Sequence, residues 1–114
     1  MECAAIHSWS GMIPGREQEA LDYGVEANAY WSKLAAEGNC SEPEMFFAGT
    51  RGTWMVKGDP DTLRALYARE ETQVLAAKGG FLLQDWDYVF AITGNAATEF
   101  LLRVAVAGQE LGYV

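Results

Sequence analysis

The chain has a single histidine, His7, and two cysteines, Cys3 and Cys40. Metal centres built on nitrogen and sulfur ligands need more of either, at closer spacing. The two cysteines read as reduced thiols of a cytoplasmic protein rather than as a disulfide. Basic residues are also scarce: eight Lys and Arg stand against 16 Asp and Glu, a formal net charge of −8. Nucleic acid and anionic membrane surfaces both require a basic patch, so neither is expected as a partner. No stretch of about 20 apolar residues is present, so no membrane span is expected. The N-terminus has no basic segment leading into an apolar run, so no secretory signal is expected either. There is no solenoid-length repeat and no low-complexity tract.

What the chain does have is apolar and aromatic. Half of the 114 residues are hydrophobic, among them four Trp, five Tyr and five Phe. A chain of this length buries about 65% of its unfolded surface, enough for one core. A single domain over residues 1–114 is expected, with a core at 3–93 and a C-terminal helical extension at 94–114.

Residues 3–10 alternate as a buried strand, with Cys3, Ala5, His7 and Trp9 on one face. Pro14-Gly15 suits a turn. A long helix follows from about Arg16, its buried stripe formed by Ala20, Gly24, Ala27, Trp31 and Leu34, and Gly38-Asn39 stop it. Met45–Ala48 and Thr53–Lys57 read as two strands joined by a Gly-flanked hairpin. Asp59-Pro60-Asp61 marks the start of a second helix, expected to run to about Lys78 and stop at Gly79-Gly80. A fourth strand is expected from Phe81 to about Thr93, and then a third helix over Ala96 to Val114, with a strand around Val104 and Val106 as the alternative for part of it. The order predicts an α+β fold with a four-stranded antiparallel sheet. The second and third strands are apolar on both faces, so the face away from the helices needs a cover, which a second subunit would supply.

Pro14-Gly15-Arg16-Glu17, placed between a strand ending in Trp9-Ser10 and a helix opening with Ala20-Leu21, resembles the strand-to-helix lead-in of the dimeric α+β barrel superfamily. That group includes antibiotic-biosynthesis-type monooxygenases, haem-degrading monooxygenases, NIPSNAP-like proteins and many small bacterial proteins. The resemblance spans Cys3 to Thr93. It implies a ferredoxin-like βαββαβ protomer, a homodimer whose sheets form a barrel, and a small-molecule pocket between sheet and helices. The haem-degrading relatives carry their iron-ligating histidine on a helix, whereas His7 is on a strand, so haem is not expected.

Few residues suggest chemistry. His7 is either a general base or a neutral core histidine with one hydrogen bond. Asp85 and Asp87 alternate onto one face of the fourth strand, either as a carboxylate pair or as an edge turned to water. Ser8 and Ser10 have no visible triad, and Gly11–Gly15 lacks the ending of a phosphate loop. Glu70 falls in the apolar stripe of the second helix beside Leu63, Leu66, Tyr67, Val74 and Ala77. It either turns inward, into a pocket walled by Tyr67 with Trp9 or Trp31, or sends its carboxylate to solvent or to a cation such as Arg64, Arg69 or Lys57. The candidate ligand-binding residues are therefore Glu70, His7, Tyr67, Trp9 and Trp31. The leading function is binding of a small apolar or aromatic molecule by a homodimer, with no cofactor or metal. The alternatives are a cofactor-independent monooxygenase or isomerase, and a non-catalytic interaction module.

Overall fold

The computed structural model describes residues 1–113; Val114, the last position of the expected domain and tail, lies outside the described residues. In chain order the elements are β1 (Cys3–Trp9), β2 (Gly11–Met12), α1 (Glu17–Ala36), β3 (Glu44–Ala48), β4 (Arg51–Gly58), α2 (Pro60–Tyr67), α3 (Glu70–Leu82), β5 (Leu83–Gln84), β6 (Asp87–Ile92) and α4 (Gly94–Leu111). The main sheet has the order β3-β4-β1-β6, antiparallel throughout. β1 is central, and its small and apolar residues are the best buried of any strand. A two-residue ladder joins β2 to β5.

The turn into α1 follows from its sequence. The Arg16 amide donates to the Ile13 carbonyl at 3.0 Å, and Gly15 has φ 86°. Proline second and a positive-φ glycine third make a type II turn. α1 ends where Gly38 takes φ 84° and the Asn39 amide reaches back to the Leu34 carbonyl at 3.0 Å, which satisfies carbonyls the helix leaves open. Asp59 caps α2, its carboxylate accepting from the Thr62 amide at 3.2 Å.

Three expectations for the second half are corrected. The helix expected from Pro60 to Lys78 is two helices, because Arg69 takes an extended conformation between them. The turn rotates the following face: Thr72 and Leu75 are buried, whereas Val74 and Ala77 are exposed. Gly79-Gly80 does not stop α3, which continues to Leu82. The Trp86 indole occupies the space a Cβ on Gly79 would fill, so this glycine serves close packing rather than termination. The fourth strand is shorter than expected, because Asp85 breaks it with φ 54°. Asp85 and Asp87 therefore do not share a strand face; Asp85 accepts a hydrogen bond from the Ser10 hydroxyl.

α1, α2 and α3 cover one sheet face. Trp31 and Leu34 of α1 and Leu63, Leu66 and Tyr67 of α2 pack on Cys3, Ala5, Trp54 and Val56. Ala20 and Tyr23 meet Leu75, Leu82 and Leu83 beside it. The strand register puts Ile6, Met55, Phe46 and Val89 on the opposite face. No helix of the described residues is long and apolar enough to cross a membrane.

Candidate functional site

The packing of α1 and α3 against the sheet leaves a pocket of about 300 Å³. β1 contributes His7 and Trp9, β4 contributes Trp54, and α2 contributes Tyr67. α1 lines it with Ala20, Tyr23, Gly24, Ala27 and Trp31, so the small residues of its stripe make room where larger ones would fill the space. Thr72, Leu75 and Ala76 of α3 and Trp86 add to the wall, and Met12, Met45, Thr50 and the exposed Leu21 and Phe47 are among the residues at its border. All four tryptophans of the chain line this one pocket. Among the described residues that line it, none is Asp, Glu, Lys or Arg.

The polar centre of the wall is His7. It is 4% exposed and sits on β1 directly opposite Trp54 on one side and Tyr88 on the other. Its Nδ1 lies 3.2 Å from the Trp54 carbonyl oxygen. A carbonyl only accepts, so Nδ1 carries the proton and Nε2 is the acceptor. The Tyr67 hydroxyl, 2.5 Å away, donates to Nε2. Trp54 meets the imidazole edge-on at 4.5 Å, and Trp86 and Tyr67 stack on it at 5.5 and 5.8 Å between centroids.

These surroundings keep the pair neutral. Burial pushes His7 down to about 4, the Trp54 carbonyl opposing only in part. Burial also raises Tyr67 far above the ordinary phenol value, with Tyr88 adding to the effect. The Tyr23 hydroxyl donates to the Leu75 carbonyl at 2.8 Å, and burial, reinforced by Glu26, pushes it up to about 12. Tyr30 and the buried Thr72 share a hydrogen bond beside the pocket. Among the described residues, no three His, Cys, Asp or Glu side chains come together in a group that could hold a metal.

Four of the five residues singled out from sequence line the pocket: His7, Tyr67, Trp9 and Trp31. Glu70 does not. It is exposed in the first turn of α3 and borders a surface groove with Glu26, Glu71 and Lys78. Of the two alternatives for Glu70 the exposed one holds: the inward one assumed one continuous helix, and the break at Arg69 removes that premise. Sequence reasoning missed Trp54, Trp86, Tyr23 and Thr72 as wall residues. The alternation of β4 carried a signal for Trp54, because Trp54 and Val56 share a face. For Trp86 the alternation of the expected fourth strand, which sets it opposite Asp85 and Asp87, carried the signal; the residue lies between β5 and β6.

No protein-family model matches the chain, and no curated protein matches it. Among solved structures, a protein of unknown function from Nitrosomonas europaea superposes with a TM-score of 0.57 and 17% identity, over 81% of this chain and 88% of that one. At that identity the likeness carries the fold alone, an α+β fold with a four-stranded antiparallel sheet.

Proposed function

We propose that the protein binds a small, uncharged, aromatic or apolar molecule between its sheet and helices, and that the protomer is ferredoxin-like. The sheet order, with α1 and the α2–α3 pair as crossovers, supports the topology. The observation that carries the ligand reading is a pocket of about 300 Å³ walled by four tryptophans and, among the described residues, by no charged side chain. Burying an ion there without a partner is costly, whereas a flat apolar molecule leaves water for aromatic faces. The volume is at the low end of small-molecule sites, fitting one or two fused rings.

His7 and Tyr67 favour binding over catalysis. A general base works best with a pKa near the operating pH, and His7 lies far below it with its acceptor nitrogen already engaged. The pair offers polar contact within an apolar wall. The test uses the tryptophans as reporters. Naphthalene and 2-naphthol, titrated into the protein, should quench or shift tryptophan emission saturably and raise the melting temperature. Ala27→Phe, which fills the space beside Trp31, should abolish both effects while the protein stays folded. A linear, non-saturating quench in both proteins would sink the reading.

A further inference from the structure

α4 is out of place on a lone chain. It spans 18 residues, and none is buried. A surface helix shows one apolar stripe and one polar side; a helix apolar nearly all round belongs inside something. Ala97, Leu101, Val104, Gly108 and Leu111 line one side at alternating intervals of four and three, while Leu102 and Val106 make a second side apolar as well. Its only charges are Glu99, Arg103 and Glu110, and the first two pair with each other at 3.8 Å. The helix projects from the body. The radius of gyration is 16.6 Å and the longest extent 52 Å, whereas a compact chain of this length has a radius near 13 Å.

The same chain carries an uncovered apolar surface. The sheet face away from α1–α3 presents Ile6, Met55, Phe46 and Val89, the last two half exposed. We propose that these two surfaces are halves of one interface: α4 of each copy seats on the open sheet face of a second copy, reciprocally.

Three observations select a second copy as the occupant. The first is size. Six α4 side chains, Phe100, Leu101, Leu102, Val104, Val106 and Leu111, and two on the sheet, Phe46 and Val89, are each at least half exposed. Leu102 and Val106 face away from the other four, so at roughly 100 Å² each the six that can meet the partner offer about 600 Å² per protomer, the lower end of a stable interface. The second is length: an 18-residue helix is about 27 Å long, and the seven-residue β1 is about 23 Å. The helix therefore spans the face it would cover. The third is charge. The net −8 would oppose self-association through an acidic surface, but the excess sits elsewhere. Glu19, Asp22 and Glu26 are exposed on α1, and Asp61, Glu70 and Glu71 on α2 and α3. On the open face, Glu44 pairs with Lys57 at 3.8 Å, and the register adds one further charge of each sign, Arg51 and Asp87.

Light scattering coupled to size exclusion tests the assembly on the full chain between about 1 and 100 µM. The expected mass is twice 12.5 kDa. Leu101→Glu on α4 and Phe46→Glu on the sheet should each halve it, while Val25→Glu, on an exposed position of α1, leaves it doubled. Far-UV circular dichroism verifies folding of each variant. Hydrogen exchange on the unaltered chain gives a readout independent of any variant: α4 amides should lose protection on dilution. A single-chain mass throughout, a mass above two chains, a doubled mass in either Glu variant, or α4 protection independent of concentration would each overturn the proposal. So would a single-chain protein that floats with phosphatidylcholine vesicles, since α4 would then be covered by lipid.

Discussion

Protonation of His7 should destabilise this protein in a way that one substitution can isolate. An unfolded histidine takes up a proton near pH 6.5; in the fold, burial delays this until about 4. Between those values the unfolded chain holds more protons, so stability falls as pH falls. The contribution is intact above about pH 6.5 and is lost as pH drops toward 4. Relative to pH 7.5, the loss works out to about 1.3 kcal/mol at pH 5.5 and about 2.5 kcal/mol at pH 4.5. The acidic residues titrate in the lower part of this range as well, so the raw pH profile is a composite. His7→Gln separates them, because its amide can donate to the Trp54 carbonyl and accept from the Tyr67 hydroxyl without titrating. Urea unfolding, followed by tryptophan emission at one protein concentration and the three pH values, gives the stability of each protein. The advantage of the unaltered chain over the variant should shrink by those amounts. Parallel stability curves for the two proteins would mean that His7 titrates as it does in water and that the buried, neutral assignment is wrong.

Other consequences can be checked the same way. Gly52 faces the Trp9 indole so closely that a Cβ would overlap the ring, so Gly52→Ala should cost about 1–3 kcal/mol in urea unfolding. Gly79→Ala should cost a similar amount through Trp86, despite the better helix propensity of alanine. Asp59→Ala removes the α2 cap and should lower stability by about 1 kcal/mol. Glu70→Gln and Glu70→Ala should change stability at pH 7 by less than about 0.5 kcal/mol, as for an exposed residue.

The first half of the chain was legible because its signals are local. Alternation, the Pro14-Gly15 turn, the α1 stripe and the Asp59-Pro60 cap each act within a few residues. The second half was harder because its decisive facts are tertiary. Gly79 reads as a stop until Trp86, seven positions on, is seen lying over it. Asp85 reads as a strand residue until its positive φ appears. At the site, His7, Trp9, Trp31 and Tyr67 could be nominated by residue type and face. Their convergence could not, because the elements that carry them meet only in the fold. Glu70 failed for the same reason in reverse: a stripe drawn through an unseen break put an exposed carboxylate inside.

The position of β1 has a consequence for how this polypeptide is made. It precedes every other element described, yet it is an inner strand, and its neighbours are β4 and β6. As the ribosome adds about 5–20 residues per second, β1 waits seconds for β4 and longer for β6, with both edges and its Cys3–Ala5–His7 face unsatisfied. An unpaired apolar strand is a template for other nascent chains. High expression rates should therefore favour inclusion bodies over the folded protein, and slowing translation or lowering temperature should recover it. The pocket shares this timing, since its wall runs from His7 to Trp86: a ligand can meet a complete site only when most of the described chain has left the exit tunnel.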